Sequence, residues 1–141
     1  MSTVVGVSCV FCAIVSGEFP AHVVYEDDVV IAFLDRHPAT VGHTLVVPRR
    51  HAADIWSLDV DDAAAVMRAA VEVSRRLRAT LGLSGLSLAQ SNGVAAGQDV
   101  FHFHLHLVPR ESGDGLAPPW EETHPDAATL DDVAALIRSP P

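Results

Sequence analysis

Three histidines alternate with large apolar residues in the segment Val100–Val108. A β-strand places alternate side chains on opposite faces, so His102, His104 and His106 are predicted to share one face, about 7 Å apart at about 3.3 Å of rise per residue. A neutral imidazole can attack phosphorus while its neighbour binds a proton or a phosphate oxygen. A half-exposed strand whose polar face happens to be histidine is the alternative. The intervening apolar residues are predicted to face the core: Phe101, Phe103, Leu105 and Leu107.

A second candidate site begins with the two cysteines, Cys9 and Cys12, whose spacing lets both thiolates reach one metal ion. Tetrahedral zinc needs two further ligands, and His51 and His102 are the candidates. Two alternatives remain open: a redox-active pair and two buried, inert cysteines. Four protein ligands would make the metal structural, because no position is left for water.

Composition limits the possible partners. The 141 residues carry a formal net charge of −9, and all nine basic residues are arginine. Nucleic-acid binding is disfavoured because it depends on many Lys or Arg contacts to phosphate, although a small nucleotide could still be held locally. The apolar N-terminus from Val4 to Val15 lacks the basic residues of a secretory signal, and no apolar stretch is long enough to span a membrane. We expect a cytoplasmic protein.

The surrounding elements predict an α+β fold. Val23–Tyr25 and Val29–Leu34 are β-branched or aromatic runs around an acidic turn, as in a hairpin. A third strand is predicted over His43–Val47. Asp59–Leu81 is the clearest helix, with apolar residues on one face and Gly82 as its C-cap. The remaining predicted elements are strands over Leu86–Ser91 and Val100–Val108 and a short helix from about Leu130 to Ile137, at whose start Thr129 and Asp132 have near capping-box spacing. We expect one domain over residues 1–141, with a core at about 9–110 and a tail at 111–141.

The sequence resembles the histidine triad family, whose signature His-φ-His-φ-His-φ-φ, with φ apolar, is matched at every position of 102–108. The similarity extends from Cys9 to Arg110. It includes Gly42-His43-Thr44-Leu45-Val46-Val47-Pro48, followed by His51, and Asn92-Gly93 with Gly97-Gln98 before the triad. The resemblance implies an antiparallel sheet of about five strands, a homodimer with a continuous ten-stranded sheet, and the zinc-binding branch of the family. In that branch zinc would be bound by Cys9, Cys12, His51 and His102.

The resemblance also implies residue roles. His104 would be the nucleophile, while His106 and His43 would contact the phosphate and tune His104. Asp35, with Phe33 two residues before it, matches the ribose-binding position. The remaining substrate-binding positions form the phosphate loop and its end: Asn92, Gly97, Gln98 and Asp99.

Asp99 departs from the family pattern, because well-studied relatives often place Ser or Thr there against the leaving group. A carboxylate would repel phosphate, exchange a proton, or favour a cationic amine leaving group. In the tail, Trp120 and His124 are candidates to reach a site across a dimer interface.

The predicted function is hydrolysis of purine nucleoside 5′-phosphoramidates or similar mononucleotide conjugates, through a nucleotidyl-histidine, to release a nucleoside monophosphate. Cleavage of dinucleoside polyphosphates is the alternative within the family. A module that binds nucleotides or partners without catalysis, or a scaffold stabilised by zinc alone, is the alternative from another class.

Overall fold

A computed structural model of the protein describes residues 9–140. These residues form three α-helices and five β-strands, and the predicted α+β class is confirmed. The elements in chain order are α1 (Val10–Ser16), β1 (Val23–Glu26), β2 (Val30–Leu34), β3 (Thr44–Pro48), α2 (Val60–Leu81), β4 (Gly85–Ala89), a 3₁₀ turn (Val94–Ala96), β5 (Leu105–Arg110) and α3 (Ala127–Arg138).

The five strands make one antiparallel sheet in the order β1-β2-β3-β5-β4. The predicted hairpin is present, because β1 pairs with β2 through Val23 opposite Phe33 and Glu26 opposite Ile31. β5 lies between β3 and β4, which leaves β4 at one edge of the sheet. The histidine-bearing chain therefore enters the middle of the sheet, where neighbours on both sides hold it.

Helices cover the two faces of the sheet unequally. α2 and α3 pack on one face and bury the larger apolar cluster, whereas the smaller cluster on the other face contains Phe11 from α1. α2 begins as predicted, because the Asp59 side chain accepts hydrogen bonds from the Asp61 and Asp62 amides. It ends at Gly82, whose φ of 63° is left-handed. The face with the thinner cover is the one that carries the candidate sites.

The C-terminal helix is longer than predicted. α3 begins at Ala127, because Asp126 caps it by accepting a hydrogen bond from the Thr129 amide. The predicted cap between Thr129 and Asp132 is therefore wrong. Leu130, Ala134 and Ile137 are buried against β1 and α2, so α3 packs on the same core as the helix before it.

The histidine strand begins later than predicted. β5 starts at Leu105, so His102 and His104 precede it and only His106 lies in the regular strand. Before Leu105 the backbone forms a hydrogen bond to a loop and not to a neighbouring strand, since the Phe103 amide donates to the Ala52 carbonyl at 2.7 Å. Phe101 lies at the start of this irregular stretch and is 46% exposed, so its predicted place in the core is wrong.

The apolar N-terminal stretch lies only partly within the residues that the structure describes. Residues 4–8 of the apolar stretch from Val4 to Val15 lie outside the described chain, whereas the rest of that stretch belongs to α1 or caps it. Among residues 9–140, no helix combines the length and the apolar character needed to cross a membrane.

Candidate active site and metal site

The His104 ring is held in a defined tautomer. Its Nδ1 lies 2.8 Å from the backbone carbonyl oxygen of His102, and a carbonyl can only accept a hydrogen bond. Nδ1 must therefore carry the proton, so that the neutral ring keeps its lone pair on Nε2. The ring is also buried, at 7% exposure. His104 thus presents one nucleophilic nitrogen in a fixed orientation.

The backbone near His43 determines the tautomer of the His43 ring. The Ala39 amide donates to His43 Nδ1 at 2.9 Å, which places the proton of neutral His43 on Nε2. That Nε2–H donates to His106 Nδ1, also at 2.9 Å. His106 must then carry its own proton on Nε2. The chain of bonds ends in a single N–H donor beside His104, whose ring centroid lies 4.9 Å from that of His106.

Burial keeps this histidine pair neutral. It lowers the pKa of His43 to about 3, and the neighbouring His106 and His104 add to the shift. Burial likewise lowers the pKa of His106 to about 4, helped by His104 and opposed by Asp99. Near neutral pH both rings are therefore uncharged, and the tautomers set by their hydrogen bonds are the ones present.

Asp35 lies beside this pair at the end of β2. Its Oδ1 accepts a hydrogen bond from the His37 amide, and Oδ2 lies 3.6 Å from His43 Nε2. Because His43 is neutral, this contact is not an ion pair. Burial raises the pKa of Asp35, and the negative charge of Glu122 raises it further. Its carboxylate remains partly accessible, as binding of two vicinal hydroxyls would require.

The aromatic floor of the site includes one residue that the sequence did not single out. Phe11 packs edge-on against His104, with ring centroids 5.1 Å apart, and also against His102 and Phe33. Phe33 is buried beneath it. Phe11 stands between Cys9 and Cys12, so a metal holding that pair would also place Phe11. Its position within the Cys-x-x-Cys motif is the signal that could have identified it.

The predicted phosphate loop is held in place by hydrogen bonds of its own side chains. Gln98 is buried, accepts from the Gly93 amide at 2.6 Å and donates to the Ala53 carbonyl at 2.6 Å. Asn92 accepts from the Ile55 amide at 2.7 Å. The Gly97 and Gln98 amides donate within the loop, to Val94 and Gly93. To bind phosphate, these groups would have to give up their present hydrogen bonds within the protein. The exposed Asp99 directly follows this hydrogen-bonded segment.

The tail contributes a residue to this site within the same chain. The Trp120 ring packs edge-on against His43 and His106, at centroid distances of 5.7 and 5.9 Å. The predicted reach across a dimer interface is therefore unnecessary for Trp120. His124 packs edge-on against His37 instead, with ring centroids 4.8 Å apart.

The four predicted metal ligands converge. Cys9 Sγ lies 3.4 Å from His102 Nδ1, Cys12 Sγ lies 3.4 Å from His51 Nδ1, and the two Nδ1 atoms are 3.2 Å apart. Zinc at about 2.3 Å from sulfur and about 2.05 Å from nitrogen would give tetrahedral edges of about 3.6 Å for S to N and about 3.3 Å for N to N. The donor set therefore has the dimensions of a tetrahedral zinc site.

The protonation of His102 also fits a metal. Its Nε2 lies 2.8 Å from the Pro48 carbonyl oxygen, so Nε2 carries the proton and Nδ1 offers a lone pair to the cluster. Burial and the adjacent Cys9 raise the pKa of Cys12 to about 11. Two thiolates this close need a cation beside them, which a divalent metal would supply.

A second cluster of ligand-type atoms, formed by Asp35, His43 and His106, does not suit a metal in the same way. A metal on His43 Nε2 would require the proton to move to Nδ1, which already accepts the Ala39 N–H. The two hydrogens would then face each other. These three residues are better described as a hydrogen-bonded part of the candidate active site.

The fold and the two clusters define a small α+β protein with a hydrogen-bonded histidine cluster beside a cysteine–histidine cluster of metal-ligand type. The HIT domain model matches residues 16–113, and the chain belongs to the HIT (histidine triad) family. The protein Hit of Bacillus subtilis is 39% identical over 133 residues, which cover 94% of this chain and 91% of that protein.

Solved structures agree with the fold. A Zn-bound histidine triad family protein from Mycobacterium smegmatis superimposes with a TM-score of 0.85 at 39% identity, covering 95% of this chain and 93% of that one. A hypothetical histidine triad nucleotide-binding protein from Sulfolobus tokodaii gives a TM-score of 0.84 at 31% identity, over 92% and 89% of the two chains.

Proposed function

We propose that this protein hydrolyses purine nucleoside 5′-phosphoramidates or similar mononucleotide conjugates and releases a nucleoside monophosphate. One observation carries the proposal: backbone carbonyl and amide groups fix three histidine rings so that His104 presents a lone pair and His106 presents an N–H donor. A nucleophile beside a hydrogen-bond donor that stabilises charge on the phosphoryl oxygens suits cleavage of a phosphorus–nitrogen bond. Family membership and the nucleotide-binding relative support the nucleotide as substrate.

In the first step, His104 Nε2 attacks the α-phosphorus and forms a nitrogen–phosphorus bond. The bond from phosphorus to the leaving nitrogen breaks and its electron pair stays on that nitrogen, which takes a proton from water while the neutral His106 Nε2–H donates a hydrogen bond to a phosphoryl oxygen. In the second step, the hydroxide left by that water attacks the phosphorus, and the electron pair of the nitrogen–phosphorus bond returns to His104 Nε2. The net reaction consumes one water molecule and releases the amine and the nucleoside monophosphate.

The substrate-binding roles extend from this chemistry. Asp35, partly accessible beside His43, would accept hydrogen bonds from the ribose hydroxyls. Phe33 and Phe11 would supply an apolar surface near the base. Asn92, Gly97 and Gln98 would position the phosphate through the loop that they form, and Asp99 would face the leaving group.

Covalent catalysis can be tested directly by intact-protein mass spectrometry. Wild type and His104→Ala are mixed with an adenosine 5′-phosphoramidate and quenched rapidly. We expect an adenylyl adduct on wild type and none on His104→Ala. Wild type that binds AMP but shows neither an adduct nor AMP release would contradict the proposal and favour a binding module.

Dinucleoside polyphosphate cleavage is the less favoured alternative. Extra phosphates would need cationic contacts, yet the charged groups next to the His43–His106 pair in the described chain are the carboxylates of Asp35 and Asp99. A direct comparison of diadenosine polyphosphate with the phosphoramidate would decide between the substrates, and we expect the phosphoramidate to have the higher kcat/KM.

We also propose that Cys9, Cys12, His51 and His102 bind a structural zinc ion, as in the zinc-binding branch of the family. The ligand spacing supports this, and so does the Zn-bound relative from M. smegmatis. Residence in the cytoplasm is part of the same proposal, because a reducing compartment keeps both cysteines available as ligands.

A homodimer through the β4 edge completes the proposal. β4 ends the sheet, and beside it a groove of about 540 Å³ is lined by α2 and β4. Met67, Val71 and Leu88 lie there and are each nearly half exposed. Pairing two β4 strands would extend the sheet to ten strands and cover these residues. Sedimentation should show a dimer that Leu88→Arg dissociates and Leu136→Arg, on exposed α3 surface, does not; a monomeric wild type would contradict this.

A further inference from the structure

The C-terminal chain is fastened beside the candidate active site. The backbone amide and the hydroxyl of Thr123 both donate to the Pro38 carbonyl oxygen. The His124 ring packs edge-on against His37, which directly precedes Pro38. These contacts hold the short segment 120–124 against the loop that ends with His43, and they bring Trp120 onto the histidine pair.

Trp120 forms one wall at the hydrogen-bond-donating end of the site. Its ring touches both His43 and His106 yet is only partly buried, so some indole surface still faces the opening. Indole is the aromatic side chain that attracts cations most strongly. A group leaving from the His106 side would pass this surface.

Two carboxylates act electrostatically on this pair and its neighbour Asp35. Asp99 is exposed and follows Gln98, whose buried amide is bonded to Ala53 and Val100 and so fixes the loop at that point. The charge of Asp99 reaches His106, because it raises the pKa of that ring against the effect of burial. Glu122 likewise raises the pKa of Asp35, whose Oδ2 lies 3.6 Å from His43 Nε2. The surroundings of the pair are therefore negative.

We propose that Trp120 and Asp99 form a leaving-group subsite that selects nucleoside phosphoramidates whose amine carries a further positive charge. The inference rests on the proposed function and deepens it by assigning the charge of the leaving group. The carboxylate attracts a cation and the indole face stabilises it, whereas an anionic leaving group meets Asp99 and Glu122 unfavourably. The step itself is unchanged: the phosphorus–nitrogen bond breaks and the amine leaves with a proton from water.

Three adenosine 5′-phosphoramidates of similar size test this selectivity. Their leaving amines are ethylenediamine (cationic), n-propylamine (neutral) and glycine (anionic). Because the three amines differ in intrinsic reactivity, the measured quantity is the cationic-to-neutral ratio of kcat/KM in a variant divided by that ratio in wild type. This double ratio cancels the chemistry of the amine and leaves the contribution of the protein.

Asp99→Asn should lower the cationic-to-neutral ratio about fivefold, the effect of one charge pair at about 4 Å in a water-like medium. Trp120→Ala should lower it too, and Trp120→Phe should lower it less. Asp132→Asn removes an equal charge from exposed α3 surface and should leave the ratio at the wild-type value.

The outcomes separate the two proposals. Turnover of all three substrates with the same ratio in wild type and Asp99→Asn would overturn the subsite and leave the hydrolase intact. An equal fall in Asp132→Asn would also overturn it, since only net charge would then matter. Failure of wild type to turn over any of the three would overturn the proposed function, and the subsite with it.

Discussion

The ring of His104 donates its Nδ1 hydrogen to the backbone carbonyl of His102 at 2.8 Å, while the ring of His102 points into the cysteine cluster. One residue therefore belongs to both sites, through its side chain in one and its main chain in the other. Any displacement of the His102 ring would move the carbonyl that orients the nucleophile. Metal binding and the reactivity of His104 should consequently be coupled.

Cys12→Ala tests this coupling without altering either histidine. Wild type should bind about one zinc ion per chain and the variant none, and the variant should unfold at a lower temperature because metal binding contributes to folding. We expect kcat to fall about tenfold, the lower end of what loss of a supporting contact at a metal site costs. Metal analysis, thermal unfolding and turnover measure the three effects. Ser16→Ala, on the same helix, is the control and should match wild type; full kcat in zinc-free Cys12→Ala would show that the sites are independent.

The neutral histidine pair makes stability depend on pH. The folded pKa of His106 is about 4, below the value of 6.5 expected for a free imidazole. Between pH 4 and pH 6.5 the unfolded chain binds a proton at this residue that the folded protein does not bind. The contribution of neutral His106 to the free energy of unfolding is therefore complete above pH 6.5 and is lost as the pH falls towards 4. The slope is about 1.4 kcal/mol per pH unit for each such histidine.

Urea unfolding of wild type and His106→Gln at pH 7, 6 and 5 measures the pH-dependent contribution of His106 to the free energy of unfolding. The side-chain amide that the substitution introduces has an oxygen that can accept from His43 Nε2–H, so the variant removes a titrating group with little loss of bonding. We expect the stability of the variant to fall less steeply with acidification than that of wild type. Parallel curves would mean that His106 is protonated in the folded protein.

Much of the architecture was predictable because it rests on local signals. The α2 helix, with Asp59 before it and Gly82 after it, was correct to within one residue, since capping and periodicity both depend on near neighbours. The alternating pattern around His106 correctly indicated a strand. The convergence of the ligands Cys9, Cys12, His51 and His102 was also predicted, although that set came from the family resemblance and not from spacing alone.

The errors arose where distant parts of the chain compete for the same groups. The Ala52 carbonyl takes the Phe103 amide, so the strand begins at Leu105 and not at Val100. The contact of Trp120 with His43 depends on where a long, irregular tail is fastened, which no local pattern encodes. The tautomers of the histidine pair depend likewise on a backbone amide, at Ala39, that carries no signal in the sequence.

Gln98 should be the most costly residue to remove from the loop. Gln98→Ala leaves the Gly93 amide and the Ala53 carbonyl without their partner, and a buried unsatisfied polar group costs about 1–3 kcal/mol. We expect the free energy of unfolding to fall by about 2–3 kcal/mol and KM to rise, since the loop precedes Asp99. Urea unfolding and steady-state kinetics check both. Gln90→Ala removes bonds only to the adjacent Ser91 carbonyl and the Asn92 side chain and should cost less; equal losses would argue against a special role for Gln98.

Gly42 is required by its position immediately before His43. Its φ is +90°, and a Cβ there would lie 2.6 Å from Leu81 Cδ1 and 3.1 Å from Leu77 Cδ2. Gly42→Ala therefore adds overpacking against α2 to the strain of a left-handed backbone, each about 1–2 kcal/mol. Gly113→Ala shares a positive φ but meets nothing within 4 Å, so it isolates the backbone strain. Urea unfolding should show the larger loss for Gly42→Ala, with reduced turnover because His43 follows directly; equal losses in the two variants would mean that α2 yields to the added methyl group without cost.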